Sequence, residues 1–220
     1  LLKKLKLEKN TIVFFTGDNG GQDRFRSKDR PRGYFGPNVN PKTGVEFRGG
    51  KGSLYEGGLR IPFLVRWPDQ IKAGQVNDLV FYQPDVLPTL TELCGGRTPK
   101  EVDGLSILPT LLGEKATGRK QESHEMLYWE YGNQVAVRHG SWKAIKAGKT
   151  PQWALYDLTK DLSETTDLSS TEPEQLAKMQ AFAEKEHEPV RPGTFLDPTR
   201  ARHNRDRQAK FGFSTVASLA

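Results

Sequence analysis

Thr11-Ile12-Val13-Phe14-Phe15-Thr16-Gly17-Asp18-Asn19-Gly20-Gly21 is the stretch on which the fold turns. Its first six residues are β-branched or aromatic with no polar alternation, the pattern of a strand buried on both faces. The glycines that follow break the chain sharply. Upstream, Leu1, Leu2 and Leu5 recur at helical spacing between lysines and predict the last turns of an amphipathic helix, closed by Glu8-Lys9-Asn10. Helix, short turn, buried strand and Gly-rich loop make one step of a doubly wound α/β sheet, in which ligands gather beyond the carboxyl ends of the strands.

Downstream, Gln22 to Arg48 is a long polar stretch without periodicity, and loops of that length inside a domain are usually functional or disordered. Gly49 to Gly58 is a second Gly-rich segment. Ile61 to Trp67 reads as another buried strand stopped by Pro68, and a further strand is expected around Leu79 to Tyr82. It leads into a helix from Asp85 to Leu93, with Pro88 in the first turn, where proline is tolerated. Ala116 to Ser123 is polar and marks a boundary. Beyond it, Leu127–Tyr131, Gln134–Arg138, Ser141–Lys146 and Trp153–Tyr156 are short strand-like runs at turn-signalled intervals, which predict a small antiparallel sheet. Glu172 to Glu186 carries Leu176, Met179 and Ala183 on one face of a helix. The expected fold class is therefore α/β: the C-terminal part of a doubly wound mixed sheet over residues 1–117, then a small antiparallel-sheet (α+β) subdomain with one packed helix over 118–190. A basic extended tail fills 191–220.

Composition removes several classes. The 220 residues carry a net charge of +6 and one cysteine. One cysteine forms no internal disulfide and no Cys₄ or Cys₂His₂ zinc site. The longest apolar run near the N-terminus, Ile12 to Phe15, falls far short of the roughly 20 residues of a membrane span. The chain opens at Leu1, without methionine and already in an expected helix, which suggests a piece of something longer.

Two constellations carry chemistry. Asp18-Asn19, placed directly after a strand, offers a carboxylate and a carboxamide oxygen to Ca²⁺ or Mg²⁺, and flanking glycines admit close backbone approach. The same tripeptide with Gly20 is also a strong turn signal on steric grounds alone. Gly49-Gly50-Lys51-Gly52-Ser53 sets one lysine among glycines, where an ammonium suits a phosphate or sulfate oxygen or is simply solvated. It is not a Walker A loop, which would need Gly at 45 and Ser or Thr at 52, where Val45 and Gly52 stand.

Taken together, Phe14-Phe15-Thr16-Gly17-Asp18-Asn19-Gly20 and Gly49-Gly50-Lys51-Gly52-Ser53-Leu54-Tyr55-Glu56-Gly57-Gly58-Leu59-Arg60-Ile61-Pro62 resemble the C-terminal half of the type I sulfatases, the arylsulfatases of the alkaline-phosphatase-like superfamily. Asp85-Val86-Leu87-Pro88-Thr89-Leu90 and Asp103-Gly104-Leu105-Ser106-Ile107-Leu108 follow at the family's order and spacing. The resemblance covers most of residues 1–190. It implies that Asp18 and Asn19 are two of the family's Ca²⁺ ligands and that Lys51 contacts the sulfate. It also implies a formylglycine hydrate as nucleophile, made from a Cys/Ser-x-Pro-x-Arg motif, with Ca²⁺ polarising the sulfate and positive charge set at its developing negative oxygens.

That motif is missing from the sequence. Cys94-Gly95-Gly96-Arg97 lacks the proline and the arginine spacing, and Cys94 reads instead as a small buried apolar residue. The chain is thus expected to be the C-terminal portion of a sulfatase, inactive and of marginal stability alone. The partner implied is a sulfated small molecule or sulfated carbohydrate, and the expected location is periplasmic or extracellular. Arg24 and Arg26, with Lys28, Arg30 and Arg32, make the long loop basic, which suits an anionic glycan or plain solubility. His124 is expected either at the start of a strand or facing the substrate pocket. Arg200, Arg202, Arg205 and Arg207 hint at a nucleic-acid arm, but Asp197 and Asp206 dilute it and no recognition motif accompanies it. The remaining alternative is a phosphate or phosphonate esterase of the same superfamily.

Overall fold

The computed structural model describes residues 1–22, 38–148 and 152–189 of the chain. The chain divides into two units, Leu1–Glu186 and His187–Ala220, and every element below lies in the first. The leading leucines make one turn rather than a helix. The Leu5 N–H donates to Leu1 O at 3.0 Å, and Lys6, at φ 58°, takes the left-handed conformation that stops propagation. A single 3₁₀ turn, Glu8–Asn10, follows.

Strands β1 (Val13–Thr16) and β2 (Phe63–Arg66) pair antiparallel, with Phe14 opposite Val65 and Phe15 opposite Leu64. Burial on both faces is not met. Val13, Phe15 and Leu64 share an exposed face, with Phe15 65% exposed. The reason is that only the opposite face of this ribbon is covered: Phe14 tilts against Phe63 at 5.9 Å, and Phe63 stacks on Phe81 at 4.1 Å. No strand forms at Leu79–Tyr82, because that segment uses its side chains rather than its backbone ladder. Phe81 covers Phe63, and the Tyr82 N–H donates to Asp85 Oδ2 at 3.0 Å, opening the 3₁₀ turn Gln83–Asp85.

Between β1 and β2 lies α1 (Glu56–Leu59), and after the 3₁₀ turn comes α2 (Val86–Leu93), as the proline-in-first-turn pattern predicts. Its Thr89 accepts the Ile107 N–H at 3.0 Å, and the buried Asp85 carboxylate accepts the Leu105 N–H at 2.7 Å, so the 103–108 segment is pinned to the helix start. Cys94, expected to be buried, is exposed. It caps α2, and the chain turns outward at Gly95 with φ 68°.

The four strand-like runs form the expected sheet. Strands β3 (Met126–Tyr131), β4 (Gln134–His139), β5 (Trp142–Lys146) and β6 (Trp153–Asp157) make an antiparallel meander in sequence order. Helix α3 is Leu108–Leu112, α4 is Glu114–Thr117, and α5 is Pro173–Glu186. One sheet face packs Val137, Ala144 and Leu155 against Met179 and Ala183 of α5. The other packs Ala136, Ile145 and Tyr156 against Leu54 and Leu158, with Tyr55 and Leu59 beside them. Each large buried side chain contributes about 1.5–3 kcal/mol, so this second cluster fastens the Gly-rich segment to the sheet. No helix of the described residues is long and apolar enough to cross a membrane.

Candidate functional site

The backbone joins the two Gly-rich segments. The Gly20 N–H donates to Gly58 O at 2.8 Å, and the Lys51 N–H donates to Gly21 O at 3.0 Å. Asn38 bridges them, its Nδ2 donating to Gly21 O at 3.0 Å and to Gly57 O at 2.9 Å. Gln83 secures the near side with a 3.0 Å bond from Nε2 to Gly17 O. Glycine at 20 makes this proximity possible, and glycine at 58 lets the second segment fold closely on itself. A Cβ on Gly20 would stand 1.9 Å from Gly57 O, and one on Gly58 would stand 1.9 Å from Ser53 O.

The residues singled out by chemistry sit on this joint. Asp18 and Lys51 are exposed and Asn19 is half-buried. Among the described residues, none of the three side chains is engaged by a hydrogen bond or ion pair. An uncommitted carboxylate beside an uncommitted carboxamide has the chemistry of a hard-cation site, but a cation of that kind takes about six to eight oxygens and two side chains could offer only a minority of them. Among the described residues no group of three or more His, Cys, Asp or Glu is placed to hold a metal.

Beneath the joint lies a charge cluster that local sequence reading does not reveal. Lys143 is fully buried on β5, with Nζ 2.9 Å from Glu56 Oε1. The same Nζ lies 2.8 Å from Glu164 Oε1, an ion pair off the line of a well-aligned hydrogen bond. Arg60 pairs with Glu56 Oε2 at 2.8 Å. Burial pushes the Glu56 carboxyl up, but the charges of Lys143 and Arg60 outweigh it and hold the group below its ordinary value. At Glu164 burial wins over the attraction of Lys143, and the carboxyl is raised. Glu164 also holds φ at 53°, the left-handed region a side chain rarely adopts, which costs about 1–2 kcal/mol. The one signal for Lys143 in the sequence is its parity: it shares a strand face with Ile145.

The remaining candidates lie elsewhere. His124 Nε2 is 2.8 Å from Asp85 Oδ1 and its ring stands edge-on to Tyr82 at 4.8 Å. It lines a cavity of about 220 Å³ with Asp78, Leu127 and Arg138, a wall to which neither Gly-rich loop contributes. Arg24 and Arg26, like the basic tail, lie outside the described residues.

Residues 1–96 match the sulfatase family, and residues 50–189 match the family described as N-sulphoglucosamine sulphohydrolase, C-terminal. The N-acetylgalactosamine-6-O-sulfatase of Bacteroides thetaiotaomicron is 33% identical over 201 residues, covering 83% of this chain and 37% of that protein. The steryl-sulfatase of Mus musculus is 36% identical over 151 residues, covering 66% of this chain and 22% of that protein. A solved structure from work on the metabolism of multiple glycosaminoglycans by Bacteroides thetaiotaomicron aligns with a TM-score of 0.69 at 29% identity, covering 84% of this chain and 40% of its own. The chain thus spans well under half the length of each of these proteins.

Proposed function

Since the chain belongs to the sulfatase family, we propose that it supplies the Asp18-Asn19 and Lys51 loops of a sulfuric ester hydrolase. The observation that carries this is the bond from the Lys51 N–H to Gly21 O, which sets the lysine loop beside the loop of the two oxygen donors. Asp18 and Asn19 would hold Ca²⁺ together with ligands from outside these residues, and the ion would supply Lewis-acid polarisation of a sulfate oxygen. Lys51, on an open glycine backbone, meets the sulfate as a mobile point charge that stays in place while negative charge develops. The nucleophile is a formylglycine lying outside this chain, so the 220 residues alone turn nothing over.

The substrate class that fits is a sulfated carbohydrate, in keeping with the sugar sulfatase among the relatives. Arg24 and Arg26 would engage further anionic groups of such a glycan, whereas His124, held on Asp85 in a separate cavity, is not assigned to that pocket. We assign residues 1–117 to the catalytic α/β domain, 118–190 to the antiparallel subdomain and 191–220 to a basic tail. A periplasmic or extracellular site suits such a substrate.

The test is release of sulfate against release of phosphate from matched aryl esters by the complete protein. Sulfate release that is abolished by a calcium chelator, and lowered about 10²- to 10³-fold by Lys51→Ala, is expected. Preferential phosphate release, or an unaffected Lys51→Ala enzyme, would overturn the assignment. Neutralising Arg24 and Arg26 is expected to raise KM for a sulfated glycan and spare the aryl sulfate.

A further inference from the structure

Gln134 and Glu164 both end on the backbone of the Lys51 loop, although they lie about 80 and 110 residues downstream of it. Gln134 opens β4. Its Nε2 donates to Gly52 O at 3.0 Å, and its Oε1 accepts from the Leu54 N–H at 3.2 Å. One carboxamide thus satisfies an acceptor and a donor of the loop, as a neighbouring peptide group would in a sheet.

Glu164 grips the two ends. Its Oε2 accepts from the Glu56 N–H at 2.6 Å, directly after the loop. Its main-chain oxygen accepts from Arg48 Nη1 at 2.8 Å, directly before it. Arg48 also donates to the Tyr156 hydroxyl at 3.1 Å, and its guanidinium lies over the Tyr55 ring at 4.0 Å. Glu164 makes both contacts from a left-handed backbone, at φ 53°. Residues 49–55 are therefore held at Arg48, Gly52, Leu54 and Glu56, while the Lys51 side chain remains exposed and outside every one of these bonds.

We propose that Gln134 and Glu164 are positioning residues, which hold the 49–55 loop from the antiparallel subdomain so that Lys51 presents its ammonium at one place. Neither touches substrate. The inference rests on the reading of Lys51 as the sulfate contact. A loop with glycine at 49, 50 and 52 samples many backbone conformations, and an unanchored ammonium would spend little time where the sulfate needs it. The bonds made by Gln134 and Glu164 remove that freedom before substrate arrives.

Glu164→Gln takes from Lys143 one of its two buried carboxylates, so activity lost there would mix positioning with unfolding. Gln134→Ala is the cleaner variant, because Gln134 stands half-buried at the hairpin end. In the complete protein, Gln134→Ala is expected to lower kcat/KM for an aryl sulfate about tenfold. In a Lys51→Ala background the same substitution is expected to change kcat/KM by less than about twofold. Amide exchange at Leu54 should quicken about tenfold in Gln134→Ala. Asn133→Ala, which removes a 2.8 Å bond to Gly148 O in the same hairpin, leaves all three readouts unchanged. Equal losses in both Lys51 backgrounds, or an unchanged Leu54 exchange rate, would overturn the positioning role alone. A wild-type protein that releases no sulfate would overturn the reading of Lys51, and the proposal with it.

Discussion

Gly58 shows how much a single atom decides. A methyl group there would lie 1.9 Å from Ser53 O and 2.7 Å from Gly50 O, both backbone atoms that cannot swing aside. Gly44 is the useful contrast: its φ of 73° disfavours a side chain, but nothing lies within 4 Å of the added carbon. Gly44→Ala is expected to cost about 1 kcal/mol from the left-handed backbone alone. Gly58→Ala is expected to cost about 3 kcal/mol, because the 49–58 segment must shift bodily. Urea unfolding of the two variants compares them directly, and similar costs would refute the close-approach explanation. At this scale the sequence was informative. Asp18, Asn19 and Lys51, the residues proposed for chemistry, stand out because each lies in a short contiguous motif bracketed by glycine. Gln134 and Glu164 are not, since nothing in Asn133-Gln134-Val135 or Ser163-Glu164-Thr165 indicates which distant loop each will meet.

The joint between α1 and β5 depends on Lys143. Two carboxylates of one helix and one loop converge on this ammonium, and removing it would leave both buried without their shared cation. Lys143→Met is therefore expected to destabilise by about 3–5 kcal/mol. A loss under about 1 kcal/mol by denaturant unfolding would mean that the cluster is dispensable. The same joint has a pH signature. Glu56 has a folded-state pKa below its ordinary 4.5, so on acidification the unfolded chain takes up the proton first. Its stabilising contribution is complete above 4.5 and is lost as the pH falls through the depressed value. Glu164 has the opposite sign: its raised pKa means that the folded state protonates first, so mild acidification favours folding until the unfolded group also titrates. Urea midpoints measured across the carboxylate range should fall less steeply at the acid end for Glu56→Gln than for the wild type. Element identities were largely legible, as the four strands of the meander and α5 show, because alternation and helical spacing are local. Leu79–Tyr82 was not, because an apolar run that covers a neighbouring ring looks the same in sequence as one that joins a ladder.

For the molecule as a whole, the ribbon of β1 and β2 has an uncovered apolar face built from Val13, Phe15 and Leu64. Exposed, contiguous and bordering strand edges that no described strand pairs, it has the character of a surface that favours association between copies. The 220-residue chain on its own is expected to self-associate in sedimentation, and Phe15→Ser with Leu64→Ser to raise the monomer fraction. Wild-type chain that stays monomeric at high concentration would contradict this. The sequence by itself determined the family and the antiparallel meander with its helix, because each is written in short contiguous motifs or local periodicity, and the same kind of motif singled out the three side chains proposed for chemistry. Only the tertiary structure decided that the lysine loop docks on Gly21 through its backbone. Only it showed that the apolar run at Val13–Thr16 is open on one side, and that Lys143, Glu56 and Glu164 converge under the loop. Those facts depend on which surfaces meet across about thirty to about a hundred residues of intervening chain, and pairing at such separations leaves no local pattern to read.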